Sequence, residues 1–239
     1  MIHVQSLQFS FDPNRIEEFS LIDINLNVSK DSQYGILGLG GSGKSVFLKC
    51  IADIFKPQSG SVQLGDTRIS MLFQQNALFD SMTVYENLFF PLNELFPHLK
   101  NKKDKVLEFL GHVGLQDEMD LYPSELSGGM KKRLGISRAL IVEPAIVLYD
   151  EPTAGLDPVT AHSITEFIRD LNTKNTITSV IVSSDYLNIQ KMCTEVGIMI
   201  PYKGGHTLRH LGKGADLSNC RDEFFQQFIQ GIESGPLTV

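Results

Sequence analysis

Gly38-Leu39-Gly40-Gly41-Ser42-Gly43-Lys44-Ser45 matches the pattern G-x-x-x-x-G-K-[ST] in full, directly after a short apolar run at residues 34–37. The glycines of such a segment let backbone N–H groups close around phosphate oxygens, and the N-terminus of the following helix adds positive potential. Lys44 is expected to reach the β- and γ-phosphates of a nucleotide, and the Ser45 hydroxyl to ligate Mg²⁺. The segment therefore predicts a strand, a phosphate loop at residues 38–45 and a helix from near Gly43 to about Ile54.

The sequence on both sides of this loop has the pattern of an α/β fold. Apolar and polar residues alternate at 3–9 and 21–28, which is the period of half-buried strands. Further along, β-like runs at 145–149 and 177–182 enclose a predicted helix that begins near Pro158. Because strand, helix and strand in this order form a βαβ unit, we expect a mainly parallel sheet.

Two adjacent carboxylates, Asp150 and Glu151, follow the apolar run at 145–149. A strand there would deliver them to the carboxyl edge of the sheet, where α/β folds bind ligands. Asp150 is expected to hold Mg²⁺ through water, and Glu151 is the candidate base or orienter for an attacking water. Taken alone the pair could mark a plain strand end, but the complete phosphate loop upstream favours a nucleotide site.

A second glycine-rich segment, Leu126-Ser127-Gly128-Gly129-Met130, comes shortly before these carboxylates. A serine and two glycines at a helix start make another anion site, although a flexible loop is the alternative for this segment alone. Here the chain resembles the ABC ATPase family, whose signature is LSGGQ, and the resemblance covers essentially the whole chain. It implies that Ser127, Gly128 and Gly129 cap the γ-phosphate held by a second copy, so that two chains enclose two molecules of ATP with Mg²⁺.

Three further positions match this family residue by residue. Phe11 stands where an aromatic ring stacks on adenine, with a core phenylalanine as the alternative. Gln74 stands where a glutamine touches Mg²⁺ and links it to the helical region, and Gln75 is the other register. Asp157 stands in the loop whose aspartate crosses the dimer. The resemblance therefore adds Phe11, Gln74 and Asp157 to the expected site.

The chain departs from the family pattern in two places. The family has a histidine in a V-S-H-D context after a strand, whereas this chain has Val182-Ser183-Ser184-Asp185. Ser184 would thus replace the residue that holds the γ-phosphate and the attacking water. Because a hydroxyl is shorter and neutral, hydrolysis could be slow, assisted by a water, or nearly absent. The stretch at 61–73 is also shorter than in the family, which implies a trimmed antiparallel subdomain.

The resemblance implies an α/β fold of the P-loop NTPase class in its ABC form. Such a fold has a mainly parallel core sheet, a small antiparallel β subdomain and a helical subdomain. We expect a single domain over residues 1–239, with the helical subdomain at about 82–142 and a C-terminal extension at about 204–239. Periodic apolar positions at Val106, Leu110 and Val113 predict a helix in the helical subdomain.

Two details resemble one branch of the family, the ATPase subunits of Mla/Mce-type lipid transporters. They are Met130 in place of the signature glutamine and the C-terminal stretch at 225–236. A generic amphipathic helix docked on its own domain is the alternative for that stretch. The resemblance implies transport of phospholipid or a related lipid in a bacterial or plastid envelope. It also implies an integral-membrane permease and an MCE-domain lipid carrier as partners, with a STAS-domain regulator as a further candidate.

Composition limits the location and the partners. The net charge of −7 argues against a nucleic-acid surface, which needs clustered Lys and Arg. The three cysteines form no CxxC pair, which is typical of a reducing compartment. We find no signal-peptide pattern and no apolar run near the roughly 18 residues of a membrane span. We therefore expect a cytoplasmic protein that lies on the inner face of the cell membrane through its permease.

Three other functions are weighed against transport. A soluble ABC ATPase that serves cofactor assembly, of the Suf type, would associate with soluble scaffold proteins. A DNA-repair or chromosome protein is disfavoured by the acidic charge and by the lack of an inserted coiled coil or zinc motif. The third alternative is a subunit that binds ATP with weak or no hydrolysis, because Ser184 replaces the family's histidine.

Overall fold

A computed structural model describes residues 1–12 and 20–238 of the chain. The strands are β1 (Ile2–Phe9), β2 (Leu21–Val28), β3 (Gln33–Leu37), β4 (Ser59–Leu64), β5 (Ile69–Leu72), β6 (Ile146–Asp150), β7 (Thr178–Ser183), β8 (Glu195–Tyr202) and β9 (Gly205–Lys213). The α-helices are α1 (Lys44–Ile51), α2 (Val84–Leu95), α3 (Lys102–Val113), α4 (Gly128–Leu140), α5 (Pro158–Lys174), α6 (Tyr186–Met192) and α7 (Glu223–Gln230). The described strands form one nine-stranded sheet in the order β4-β1-β2-β9-β8-β3-β7-β6-β5.

The part of the sheet from β8 through β3, β7 and β6 to β5 is parallel. β6 and β7 are buried along their whole length, as is typical of parallel strands that are covered on both faces. α5 connects these two strands, so the predicted βαβ unit and the mainly parallel core are confirmed. The register sets Leu37 beside Ser183 and Asp150 beside Val182. The carboxyl ends of β3, β6 and β7 therefore meet at one edge of the sheet.

The antiparallel part of the sheet consists of β1 with its neighbours β2 and β4, and of β8 with β9. β4 and β5 stand at opposite ends of the strand order, although only residues 65–68 connect them. That link spans about 18 Å when fully extended, whereas eight strand spacings cover about 38 Å. The antiparallel strands must therefore fold back over the parallel ones. The side chains of Leu7, Phe47 and Leu148 accordingly share one apolar core.

The helices at residues 82–142 have an apolar core of their own. Val84, Leu88, Val106, Leu110 and Leu134 form its centre, and their side chains are fully buried. α2 begins with a capping box, because the Thr83 side chain accepts from the Glu86 amide and the Glu86 side chain accepts from the Thr83 amide. α4 leaves this core and packs against β5 and α5. The helical region is thereby joined to the edge of the sheet.

The C-terminal region differs from the expected extension at 204–239. β9 lies inside the sheet, where it pairs with β2 and β8, so only the residues after Lys213 follow the sheet. α7 packs on the core with Phe225 almost fully buried. Sequence alone missed β9 because its residues alternate only weakly and four of its nine residues are basic.

Candidate nucleotide site

The phosphate loop joins β3 to α1 at the carboxyl edge of the sheet. Gly43, at the start of α1, has a φ of 87°, and a Cβ atom there would lie 2.7 Å from the Leu21 side chain. Only glycine fits that position without strain. The Ser42 hydroxyl is buried and lacks a hydrogen-bond partner among the described residues. A phosphate oxygen is the kind of acceptor that an unpaired hydroxyl in this loop would suit, so the loop fits its predicted ligand.

Lys44 is the first residue of α1, and its side chain is only 7% exposed. Its ammonium donates to the carbonyl oxygens of Gly38 and Leu39 at 2.7 and 3.0 Å. It also lies 3.6 Å from the Glu151 carboxylate. Burial lowers the pKa of Lys44, and the negative charge of Glu151 opposes that shift. The cation is thus held at the centre of the loop, where the phosphates of a nucleotide are expected.

Ser45 and Asp150 form the metal side of the site. The Ser45 hydroxyl donates to the Asp150 carboxylate at 2.8 Å. Burial raises the pKa of Asp150, and this hydrogen bond opposes the shift. Both residues line a cleft of about 980 Å³, which we call the sheet-edge cleft, together with Gln74 and Gln75.

The oxygen atoms of this cleft suit Mg²⁺, which prefers carboxylate and other hard oxygen ligands and keeps several waters. Within the described residues, no group of three or more His, Cys, Asp or Glu side chains could hold a metal alone. The Ser45 hydroxyl and Asp150 carboxylate, with a side-chain amide from the 74–75 segment, would therefore share the ion with phosphate and water. Bound there, Mg²⁺ would neutralise charge that develops on the phosphates.

Glu151 occupies the turn directly after β6 with a backbone φ of 46°. This conformation is uncommon for a residue with a side chain. Its amide donates to the Val182 carbonyl oxygen at 3.0 Å, and its carboxylate accepts from the Ser184 amide at 3.2 Å. The Ser184 hydroxyl lies 3.5 Å from the same oxygen, at the limit of a hydrogen bond. The structure therefore brings Lys44, Glu151 and Ser184 together, and the backbone of Ser184 makes the better contact.

Phe11 lies just beyond the end of β1, and its ring is 67% exposed. The ring meets Phe9 and Phe55 edge-on, with centroid distances of 5.1 and 6.0 Å. Its exposure does not fit the alternative of a core phenylalanine. An exposed ring propped on two others is suited to stacking against a planar base.

The signature segment and Asp157 line a separate cleft of about 460 Å³, which we call the α4–α5 cleft. Ser127 caps α4, and its hydroxyl accepts from the Met130 amide at 3.3 Å. Asp157 caps α5, and hydrogen bonds from the Thr160 side chain and amide lower its pKa. A Cβ atom on Gly129 would lie 2.8 Å from the Thr160 side chain, so this glycine allows the close approach of the two helices.

The two clefts share no lining residue among those described. Within one chain, therefore, Ser127, Gly128, Gly129 and Asp157 line a different cleft from Ser45 and Asp150. This separation is what a site completed by a second copy requires.

Sequence reasoning missed Lys132, a buried lysine of α4 that is only 4% exposed. Its ammonium donates to the carbonyl oxygen of Gln74 at 2.8 Å and to that of Glu151 at 3.4 Å. The signal was present, because Lys132, Ile136 and Leu140 follow one another at helical spacing on the face that turned out to be buried.

The chain is similar to known proteins in both sequence and structure. The sequence pattern of the ABC transporter family matches residues 21–154. The methionine import ATP-binding protein MetN of Vibrio vulnificus is 33% identical over 245 residues, which cover 96% of this chain and 70% of that protein. The probable ribonucleotide transport ATP-binding protein mkl of Mycobacterium leprae is 36% identical over 259 residues, which cover 99% of this chain and 70% of that protein.

Among solved structures, the dimeric ATP-binding cassette MJ0796 in a post-hydrolysis state, bound to ADP and Pi, superposes with a TM-score of 0.76. It is 26% identical and covers 86% of this chain and 96% of its own. None of the helices in the described part of the chain has the length and apolarity that a membrane span requires. Because the family pattern matches more than half of the sequence and the relatives match nearly all of it, the chain belongs to the ABC transporter family as an ATP-binding ATPase that uses ATP with Mg²⁺.

Proposed function

We propose that this chain hydrolyses ATP between two copies of itself and thereby powers a membrane permease. The observation that carries the proposal is the placement of the Glu151 carboxylate, 3.6 Å from the Lys44 ammonium and 3.2 Å from the Ser184 amide. The carboxylate is thus fixed beside the residue that is expected to hold the β- and γ-phosphates. Ser45 and Asp150 lie at the same edge of the sheet for Mg²⁺.

In this proposal, water attacks the γ-phosphorus while the bond from that phosphorus to the ADP oxygen breaks. Glu151 accepts or orients the proton of the water, and the products are ADP and inorganic phosphate. Lys44 balances the charge on the transferred phosphoryl group. Ser184 acts chiefly through its backbone, which orients Glu151, so the missing histidine need not abolish hydrolysis.

The proposed dimer places the α4–α5 cleft of one copy against the phosphate loop of the other. Two helix N-termini, those of α4 and α5, open on this cleft and would offer positive potential to the γ-phosphate. The similar cassette MJ0796 is dimeric with ADP and Pi bound, which supports a dimer here. Phe11 would stack on the adenine of the nucleotide bound by its own chain.

The transported substrate belongs to the permease, and two candidates are supported to different degrees. Methionine import is favoured by the names of several relatives that are 33 to 35% identical. These names are not uniform, since mkl is described as a probable ribonucleotide transport protein at 36% identity. The chain spans 62 to 70% of the length of these relatives, so their complete activities carry over only as a proposal.

Transport of phospholipid or a related lipid is the second candidate. It is supported by the Mla/Mce-like signature ending in Met130, whereas the C-terminal stretch that shared this resemblance packs α7 on its own core. An MCE-domain carrier and a STAS-domain regulator would be partners only under this candidate. Under either one, the chain would work at the inner face of the cell membrane through its permease.

The test is to purify the tagged chain from detergent-solubilised membranes, identify its partners and measure ATP hydrolysis by the complex. We expect an integral-membrane permease. Stimulation of hydrolysis by L-methionine would favour the first candidate, and stimulation by phospholipid with an MCE-domain partner would favour the second. Recovery of soluble scaffold proteins alone would instead support an assembly ATPase of the Suf type and overturn the transport proposal.

A further inference from the structure

Helix α4 contacts the segment at residues 72–79 through one face. Lys132 donates to the Gln74 carbonyl oxygen, and Arg138 donates to the Asn76 carbonyl oxygen at 3.3 Å. Between them, a Cβ atom on Gly135 would lie 3.1 Å from Leu72 and from Asn76, so the helix and the segment are in close contact. The segment that carries Gln74 is therefore contacted by α4 at Lys132, Gly135 and Arg138, which lie one turn apart on the same face of the helix.

Lys132 differs from the other two because it also reaches the turn after β6. Its ammonium is 3.4 Å from the carbonyl oxygen of Glu151, the residue whose backbone is in the left-handed region. The Glu151 carbonyl also accepts from the Ala154 amide at 3.2 Å, so Lys132 is its second donor, and the amide and carboxylate of Glu151 have partners of their own. An uncommon backbone conformation persists only where surrounding contacts stabilise it. The hydrogen bond from Lys132 is one of these contacts.

The charge on Lys132 is costly where it lies. A cation buried to this degree loses hydration, which two backbone carbonyls replace only in part. Burial accordingly lowers the pKa of Lys132, and the negative charges of Asp150 and Glu151 oppose that shift. A residue chosen for packing alone at this position would be apolar, as its helical neighbours Ile136 and Leu140 are.

We infer that Lys132 is a positioning residue, which sets the Glu151 turn and the Gln74 segment relative to each other and to α4. The inference rests on the proposed roles of Glu151 and Gln74. Because α4 begins at the signature segment, the engagement of Ser127 and Gly129 by a second copy would be transmitted by Lys132 to the turn that holds the proposed base. Lys132 would act on the rate of hydrolysis and not on the binding of ATP to one chain.

The experiment compares Lys132→Met, which keeps the length and removes the donors, with Lys132→Arg, which keeps them. Loss of hydrogen bonds from a charged donor corresponds to a fall in kcat of roughly 10- to 100-fold. We expect that fall for Lys132→Met with the KM for ATP nearly unchanged, and substantial recovery in Lys132→Arg. Lys103→Met, an exposed lysine of α3, is the matched control and should behave like the parent. Equal kcat in Lys132→Met and the parent would overturn the inference.

A double variant separates positioning from a merely structural role. If Lys132 acts through Glu151, then Lys132→Met should lower the rate little further in the Glu151→Gln background. A fall by the same factor in both backgrounds would reject the inference, as would a Lys132→Arg variant as slow as Lys132→Met while its melting temperature matches the parent. If Glu151→Gln alone hydrolyses ATP at the parental rate, the proposed role of Glu151 fails instead.

Discussion

The sheet-edge cleft and the α4–α5 cleft are both built at helix N-termini, yet they differ in burial and charge. Asp150 lines the first cleft and is 3% exposed, and Lys44, which is 7% exposed, lies in the adjoining phosphate loop. Asp150 accepts a hydrogen bond from Ser45, and Lys44 forms an ion pair with Glu151. In the second, Ser127 and Asp157 are exposed and cap their own helices. Buried charges act strongly on a reacting phosphate, whereas exposed helix caps are accessible to a second chain. The comparison indicates that one cleft holds the chemistry and the other completes it in a second chain.

The largest effect is expected from Lys44→Ala in the phosphate loop, beside the sheet-edge cleft. The variant removes the buried cation, so kcat/KM for ATP should fall by roughly 10³-fold or more, as for a preorganised group that stabilises charge in the transition state. Steady-state hydrolysis measures the loss of catalysis, and calorimetric titration with MgATP measures the loss of binding. Lys103→Ala on α3 is the control. If Lys44→Ala binds ATP with the affinity of the parent, the assignment of residues 38–45 as the phosphate site is wrong.

Glu151→Gln should separate binding from hydrolysis. It keeps the size of the side chain but removes the base, so kcat should fall by roughly 10²-fold while ATP still binds. Unhydrolysed MgATP should then hold two copies together, which light scattering with and without MgATP would detect. A variant that stays monomeric with MgATP, even when the permease is present, would contradict a site shared between the two clefts.

Gly129→Ala tests the α4–α5 cleft. The new Cβ atom would meet Thr160 at 2.8 Å and displace the start of α4 from α5, so dimer formation in the Glu151→Gln background should weaken by roughly tenfold. ATP affinity of the single chain should not change. Gly111→Ala in α3 is a matched control, because its Cβ atom would meet only the Gln116 side chain at 3.5 Å. Loss of ATP affinity in Gly129→Ala would mean that the two clefts are not independent.

The smallest effect is expected at Ser184. The Glu151 carboxylate accepts from the backbone amide of residue 184, which alanine retains. Ser184→Ala should therefore lower kcat by about fivefold at most, the equivalent of one ordinary hydrogen bond. Ser184→His should raise kcat on the assembled transporter, because an imidazole could donate to the departing phosphate, with a similar KM. If Ser184→Ala abolishes hydrolysis, the hydroxyl has a direct role that its 3.5 Å contact does not suggest.

The sequence by itself determined the parts of the site that follow one another along the chain. A phosphate loop between a strand and a helix, and two carboxylates at a strand end, are local patterns whose geometry comes from the backbone of a few residues. Residues 38–45 and the Asp150–Glu151 pair were therefore placed correctly at the edge of a parallel sheet.

Only the tertiary structure decided which distant groups meet. The contact of Ser184 with Glu151 depends on the register of β6 and β7, and the contacts of Lys132 depend on how α4 packs against β5. The insertion of β9 into the sheet and the docking of α7 follow from pairing and burial between segments far apart in sequence. Such contacts arise from packing between elements, and no periodicity within one element specifies its partner.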